Sequence, residues 1–366
     1  MKANIKKILP LLLIFFSLLA NPAYADISDL PSELKDFWAA RLSELKSIDA
    51  DFKVLDTRDH NNIAVSDVWF KGYGNIKLHG YLAKPSQIKS GQKLPAVLLL
   101  HGYSDYGRPG WADRYARMGF IAFAIDFRGH GLSTKDYSAG FPGFMTSSIT
   151  NASGYSITGA VLDAVRSIDF LETLPDADKN RIYISGSSMG GGIAMIVSVI
   201  DDRVRAVAAG VPFLNNIQQG IKNADGGPYL ELRNFIKARE SNIENLSKEI
   251  QNIINSIKPN AREEQKKAWE LALNEFKEEV EKQKKDIQDA MDTLKFADVY
   301  NYAPYIKKPI LIGIGGRDTI CPKEGIKSVI ERMPEETKKK IYEIPDAGHV
   351  VLPGWHDENK KWFLEN

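Results

Sequence analysis

The residues in this sequence most suited to chemistry are one serine, one aspartate and one histidine. Ser188 lies in Gly186-Ser-Ser-Met-Gly190, a G-x-S-x-G pattern in which a strand turns sharply into a helix and exposes the serine hydroxyl at the sheet edge. Asp318 and His349 follow in that order, each in a loop after an apolar run. A nucleophile, a base that takes its proton and an acid that orients the base are the machinery of acyl transfer. The sequence therefore predicts a serine hydrolase in which Ser188 is the nucleophile, His349 the base and Asp318 the acid.

One other aspartate and one other histidine are alternatives for the acid and the base. Asp346 lies only three residues before His349 and is expected to form a turn. Asp318 precedes His349 by 31 residues, which leaves room for one helix and one strand, so both loops open on the same edge of the sheet. His130, in Arg128-Gly-His-Gly131, also follows a strand, but it is expected to pack or to form a hydrogen bond rather than to act as the base.

An oxyanion hole needs two hydrogen-bond donors near the serine. Met189 follows the nucleophile at the start of the next helix, and His101-Gly-Tyr103 follows a buried strand. The backbone N–H groups of Met189 and Tyr103 are therefore the expected donors.

Metal and cofactor chemistry is not indicated. The histidines are scattered, and the single cysteine, Cys321, cannot build a zinc site and is expected to be structural. Gly190-Gly-Gly192 lacks the spacing of a dinucleotide fingerprint. A net charge of +1 gives no reason to expect nucleic acid as a partner.

The first 25 residues have the pattern of a cleaved signal peptide. Lysines 2, 6 and 7 precede an apolar run over 8–20, and Ala23-Tyr-Ala25 forms an A-x-A cleavage site. The apolar run is shorter than the roughly 20 residues that span a bilayer, so no stable membrane anchor is expected after cleavage. The sequence predicts a protein exported to a periplasm or to the medium, with residues 26–366 forming a single domain.

The elements that must position the site alternate between helix and strand. An amphipathic helix over 30–48 and three strand-like runs lead into near-continuous apolar strands, which are typical of a parallel sheet buried on both faces. The expected buried strands are 96–100 and 121–125, and further strands are expected over 181–185, 204–209, 309–314 and 340–344, with helices over 111–118, 159–174 and 355–363. This alternation predicts an α/β fold with a doubly wound, mostly parallel sheet.

A segment over about 235–294 interrupts this pattern. It is rich in Lys, Glu, Asn and Gln, and it carries two apolar stripes at helical spacing on either side of Pro259-Asn260. Asn260 and Glu263 resemble an N-cap and its capping-box partner. The segment is predicted to be an inserted antiparallel αα-hairpin, with three roles left open: a passive surface excursion, a cap over the site, or a subunit contact.

These motifs together resemble carbohydrate esterase family seven, the acetyl xylan esterases and cephalosporin C deacetylases. The stretches that carry the resemblance are His101-Gly-Tyr-Ser104, Asp126-Phe-Arg-Gly-His-Gly-Leu-Ser133, Gly186-Ser-Ser-Met-Gly-Gly191, Val211-Pro-Phe-Leu214, Gly227-Pro-Tyr-Leu230, Phe296-Ala-Asp-Val299 and Asp318-Thr-Ile-Cys-Pro322. The family usually has Gln after the nucleophile, where this chain has Met189.

The resemblance implies an α/β-hydrolase fold and removal of acetyl groups from sugar hydroxyls, with cephalosporin C as a further candidate substrate. It also implies Ser188, Asp318 and His349 as the triad, Tyr103 and Met189 at the oxyanion hole, and a homo-oligomer. The residues alone leave two other hypotheses open. The protein is a broad carboxylesterase, thioesterase or peptidase on the same fold, or it is a non-enzymatic binding protein that uses the hairpin as its contact arm.

Overall fold

A nine-stranded sheet forms the centre of the molecule in the computed structural model, which describes residues 27–366. The strand order is β1-β2-β3-β5-β4-β6-β7-β8-β9, and the six strands from β5 to β9 in this order are parallel. β1, β2 and β3 form antiparallel pairs, and β3 pairs antiparallel with β5. The strands are β1 (Lys53–His60), β2 (Ile63–Lys71), β3 (Lys77–Pro85), β4 (Leu94–Leu100), β5 (Ile121–Asp126), β6 (Ala177–Ser187), β7 (Val204–Gly210), β8 (Ile310–Gly315) and β9 (Lys339–Ile344).

Helices cover both faces of this sheet, so two apolar cores flank it. The helices are α1 (Ser32–Ser47), α2 (Pro109–Arg117), α3 (Ser156–Thr173), α4 (Met189–Ile200), α5 (Ile217–Asn223), α6 (Gly227–Ser256), α7 (Glu263–Leu294), α8 (Val299–Tyr302), α9 (Lys323–Arg332) and α10 (Trp355–Glu365). The smaller core includes side chains of α2 and α10, and the larger core includes side chains of α1, α3, α4 and α8. β4, β5 and β8 are buried at every residue, as their continuous apolar sequences require. The predicted doubly wound, mostly parallel α/β fold is confirmed.

The predicted αα-hairpin is formed by α6 and α7, which run antiparallel and are joined by residues 257–262. An ion pair between Arg239 and Asp286 (3.4 Å) links the two helices. Only the base of the hairpin enters the core, through residues such as Leu232 and Leu294, while its distal part is exposed or half-buried. Most of its stability at the distal end therefore comes from the contact between the two helices.

Two predicted details of the hairpin are wrong. α6 begins at Gly227, eight residues before the expected start, because Pro228 and Tyr229 already form a buried first turn. The N-cap of α7 is Arg262 rather than Asn260: the N–H of Arg262 donates to Oε1 of Gln265 (3.2 Å), and residues 258–261 form a separate turn.

The expected signal peptide lies outside the described residues. Within residues 27–366, no helix has the length and apolar character needed to cross a bilayer.

Candidate active site

Ser188 occupies the sharp turn between β6 and α4. Its backbone has φ 54° and ψ −120°, a left-handed conformation that a residue with a side chain rarely adopts. Three main-chain hydrogen bonds hold it there: its N–H donates to Gly210 O (2.9 Å), and its carbonyl accepts from the N–H groups of Gly192 (3.1 Å) and Phe213 (2.9 Å). Such strain persists only where the surroundings enforce it, and it is common at functional sites.

The two glycines of the motif are required because the strand and the helix approach each other closely. A Cβ at Gly186 would lie 2.2 Å from the carbonyl oxygen of Gly190. A Cβ at Gly190 would lie 2.3 Å from the carbonyl oxygen of Leu100 on the neighbouring strand. The G-x-S-x-G pattern is therefore the sequence that this packing demands.

Ser188, His349 and Asp318 form one hydrogen-bonded chain, although they are distant in sequence. Nε2 of His349 lies 3.0 Å from Oγ of Ser188, and Nδ1 of His349 lies 2.8 Å from Oδ2 of Asp318. The other carboxylate oxygen of Asp318 accepts from the N–H groups of Ile320 (2.9 Å) and Cys321 (2.8 Å), which fixes the orientation of the carboxylate. Because a carboxylate only accepts, Nδ1 carries the proton and Nε2 is free to take the proton of Ser188.

The loop after β4 lies directly against the serine. A Cβ at Gly102 would lie 3.4 Å from Cβ of Ser188 and 3.9 Å from its Oγ. His101 is fully buried and holds this loop: its Nε2 accepts from the N–H of Phe127 (3.1 Å), so its Nδ1–H donates to Gly102 O (2.7 Å). Burial, and then the neighbouring His130, lower the pKa of His101 well below its usual value, so the ring stays neutral and keeps this tautomer.

This hydrogen bond also orients the N–H of Tyr103. The carbonyl of Gly102 and the N–H of Tyr103 belong to the same planar trans peptide and point in opposite directions. Met189 is the first residue of α4, where backbone N–H groups have no partner within the helix. Among the hydrogen bonds of residues 27–366, neither the Tyr103 N–H nor the Met189 N–H has a protein acceptor, so both are free to bind an oxyanion.

A cavity of about 270 Å³ opens beside the serine and the histidine. Its wall is mostly apolar and aromatic, and it includes Trp111, Tyr115, Val211, Val350, Val351 and Trp355. A concave, largely apolar surface with a few polar groups is typical of a site for a small molecule. Sequence reasoning did not single out Trp111, Tyr115 and Trp355, because aromatic residues at helical spacing are equally typical of a core.

The remaining predicted residues lie as follows. His130 is buried against Phe141 and Phe144, and its Nδ1 lies 3.0 Å from Arg128 O, in agreement with a packing role. Burial lowers the pKa of His130 to about 4. Asp346 is exposed and pairs with Arg317 (2.7 Å).

Cys321 is buried directly behind the acid. One ligand atom each from Asp318, Cys321 and His349 lie within 4.8 Å of one another, which is the arrangement in the described residues that could most readily hold a metal ion. Burial raises the pKa of the Cys321 thiol well above its usual value, and the thiolate is the form that binds metals. The hydrogen bond between Asp318 and His349 uses the same two side chains, so the cluster fits the triad better than a metal site.

Glu231 is a residue at this site that sequence reasoning missed. It follows Gly227-Pro-Tyr-Leu230 and lies in the second turn of α6, and its carboxylate accepts a hydrogen bond from the hydroxyl of Tyr103 (2.5 Å). Glu231 precedes the predicted hairpin, and an acidic residue there gives no signal of such a contact, because the partner lies 128 residues away in the sequence.

Known proteins resemble this chain in sequence and in fold. The sequence matches the acetyl xylan esterase (AXE1) family over residues 13–257 and 262–366. The chain is 26% identical over 211 residues to the acetyl esterase Axe7A of Xylanibacter ruminicola, an alignment that covers 54% of this chain and 47% of Axe7A. This chain therefore spans about half the length of that relative.

Two solved structures share the fold. The acetyl xylan esterase from Paenibacillus sp. R4 superposes with a TM-score of 0.72 and 24% identity, over 92% of this chain and 95% of that chain. Acetyl xylan esterase 1 from Thermoanaerobacterium sp. superposes with a TM-score of 0.70 and 21% identity, over 92% and 94% of the two chains. The α/β-hydrolase fold expected from the sequence is confirmed. Because the family match extends over nearly the whole sequence, the chain belongs to the acetyl xylan esterase family of carboxylic-ester hydrolases.

Proposed function

We propose that this protein is an exported serine esterase that hydrolyses acetyl esters of carbohydrates, such as acetylated xylan or xylo-oligosaccharides. The observation that carries the proposal is the distance of 3.0 Å between Ser188 Oγ and His349 Nε2, with Asp318 on the other side of the imidazole, in a chain of the acetyl xylan esterase family. Cephalosporin C, which carries an acetyl ester, is a further candidate substrate.

The proposed reaction has two halves. His349 Nε2 takes the proton of Ser188 as Oγ attacks the acetyl carbonyl, and the N–H groups of Tyr103 and Met189 stabilise the oxyanion. His349 then returns the proton to the leaving sugar oxygen, which leaves an acetyl group on Ser188. In the second half, His349 takes a proton from water, the resulting hydroxide attacks the acetyl-serine, and acetate leaves as Ser188 regains its proton.

The position of the cavity favours ester substrates that have a bulky alcohol part. Because His349 must protonate the leaving oxygen, the alcohol part of the ester lies beside this histidine. His349, Val350 and Val351 line the cavity on that side, and the half-buried Trp111 adds an aromatic side chain against which a sugar ring can pack.

An ester panel tests the substrate class. We expect acetylated xylo-oligosaccharides and p-nitrophenyl acetate to be hydrolysed at least tenfold faster, by kcat/KM, than the butyryl esters of the same alcohols, since each extra methylene that an acetyl-specific site does not accommodate costs roughly 1–3 kcal/mol. Peptide amides and acyl thioesters serve as the comparison substrates. Equal or higher kcat/KM values for butyryl esters or peptides would replace the acetyl-carbohydrate assignment with a broader hydrolase.

Export and assembly are separate parts of the proposal. Cleavage after Ala25 would give a mature chain that begins at Asp26, which N-terminal sequencing of the protein recovered outside the cytoplasm tests. The homo-oligomer stays a prediction, for which sedimentation equilibrium is the measurement.

A further inference from the structure

A carboxylate from the base of the hairpin connects Tyr103, which lines the cavity, to two neighbouring segments of the chain. Oε2 of Glu231 accepts from the hydroxyl of Tyr103 (2.5 Å), and Oε1 accepts from both the N–H (3.0 Å) and the hydroxyl (3.1 Å) of Thr146. Both oxygens are therefore engaged. The bridge joins α6 to the loop that follows β4 and to the short helical turn Phe144–Thr146.

The surroundings hold each end of this bridge. The flanking α6 residues Tyr229 and Leu232 are buried in the core, so the backbone at Glu231 is fixed. The ring of Tyr103 packs edge-to-face against Phe141 with the centroids 5.1 Å apart. Burial, and then the hydrogen bond to Glu231, raise the pKa of Tyr103 well above its usual value, so its hydroxyl keeps its proton and remains a donor.

Tyr103 is thus held at two points. Its backbone is oriented by the hydrogen bond from His101 to Gly102 O, and its side chain is tied to Glu231. An oxyanion donor acts only when it lies about 2.7–3.1 Å from the developing charge, so a small rotation of this residue lowers the rate. Substrate binding in the ground state does not depend on the same alignment.

We infer that Glu231 is a positioning residue that keeps the Tyr103 N–H aimed at the oxyanion, and that it couples the base of the helical hairpin to catalysis. The inference rests on the proposed function, since it assumes that an oxyanion forms between Ser188 and Tyr103. Glu231 does not contact the reacting atoms and acts only through Tyr103.

The experiment measures p-nitrophenyl acetate hydrolysis by Glu231→Ala and Glu231→Gln. Complete loss of an oxyanion donor typically costs ~10²–10³ in rate, so partial misalignment in Glu231→Ala is expected to lower kcat about tenfold with KM within about twofold of the parent. Glu231→Gln is expected to recover most of kcat, because the amide keeps the shape and can hydrogen bond to both Tyr103 and Thr146. A residue needed only for folding would not give a kcat-specific loss with rescue by glutamine.

A change at the other end of the hydrogen bond gives an independent test. Tyr103→Phe removes the hydroxyl and keeps the ring packing, so it is expected to show the same loss of kcat as Glu231→Ala. The double variant is expected to lose no more than either single variant, since both changes break one interaction. If Glu231→Ala does not fold, the kcat of Tyr103→Phe alone tests whether this hydrogen bond positions Tyr103.

Two controls separate this bridge from the rest of the hairpin. Glu240→Gln changes an exposed glutamate on the same helix, and replacing residues 249–276 by a short glycine-serine linker removes only the distal part of the hairpin. Both are expected to keep kcat within about twofold of the parent, because neither touches Glu231.

The outcomes separate the two proposals. A parent-like kcat in Glu231→Ala and Tyr103→Phe, or a change confined to KM, would overturn the positioning role while leaving the esterase assignment intact. The positioning role would also be overturned if the shortened hairpin loses kcat while Glu231→Ala keeps the kcat of the parent. The distal part of the hairpin, and not Glu231, would then affect catalysis. An inactive parent protein, or activity retained in Ser188→Ala, would instead overturn the proposed function.

Discussion

Replacement of Ser188 by alanine is expected to abolish hydrolysis of p-nitrophenyl acetate, with a loss of roughly 10⁶ in kcat, as for other triads that lose the nucleophile. The reason is that Oγ of Ser188 is the nucleophilic atom that lies at hydrogen-bond distance (3.0 Å) from His349 Nε2. The fold should be unaffected, because the hydrogen bonds that hold residue 188 in its turn involve only main-chain atoms. The measurements are initial rates at substrate saturation and the midpoint of thermal unfolding.

Ser198→Ala is the matched control for this variant. Ser198 is buried in α4, the helix that begins directly after Ser188, and its hydroxyl donates to Met195 O (2.7 Å). The control should keep the parent rate, which would show that loss of a buried serine from α4 does not itself inactivate the protein. Turnover in Ser188→Ala comparable to the parent would end the assignment of Ser188 as nucleophile.

Asp318→Asn is expected to lower kcat by about 10⁴ while leaving the protein folded, by the tautomer argument established for other triads. The oxygen of the new amide must stay where Oδ1 lies, because the N–H groups of Ile320 and Cys321 donate to it. The amide nitrogen then faces Nδ1 of His349 as a donor, so Nδ1 must lose its proton. Nε2 becomes protonated and cannot take a proton from Ser188.

Asp346→Asn makes the same change on an aspartate near His349 that does not contact it. Asp346 is 79% exposed and pairs with the similarly exposed Arg317, so the variant should keep kcat within about twofold of the parent, since exposed ion pairs contribute ~0–1 kcal/mol. A loss in Asp346→Asn equal to that in Asp318→Asn would contradict the choice of Asp318 as the orienting acid.

The geometry of the candidate triad could be predicted because each residue lies at a point that the sheet topology defines. Ser188, Asp318 and His349 follow β6, β8 and β9, which are parallel, so the loops at their carboxyl ends meet on one edge. A continuous apolar run identified β8, whereas β9 is half-buried or exposed and was recognised as the last strand-like sequence before His349. This inference needs only the order of the strands and not their side-chain packing.

The start of the sheet and the contacts between distant segments were harder to predict. β1 is exposed along its whole length, so it has no apolar pattern that would indicate its true end at His60. The side-chain bridge from Glu231 to Tyr103 and Thr146 depends on how α6 lies across the sheet edge. Such contacts arise from tertiary packing, which local propensity and periodicity do not encode.

The apolar stripes of the hairpin identified its helices but not where they end. Residues such as Ile250 and Leu273 are half-buried at the interface between α6 and α7, as their spacing indicates. The ends depend on capping, and Arg262 is not a residue type that usually marks an N-cap. The apolar spacing therefore predicted which residues form the contact between α6 and α7. The residues at which the two helices begin and end depend on local backbone geometry, which the spacing does not show.

Met189 combines two requirements that can change independently during evolution. Its proposed chemical contribution comes from a backbone N–H, which every residue type except proline supplies, while its side chain is fully buried in the larger core. Selection on catalysis therefore constrains the path of the main chain at this position, and selection on stability constrains the side chain. Another residue of suitable size can therefore follow the nucleophile without loss of the proposed oxyanion donor, because that donor is a main-chain group.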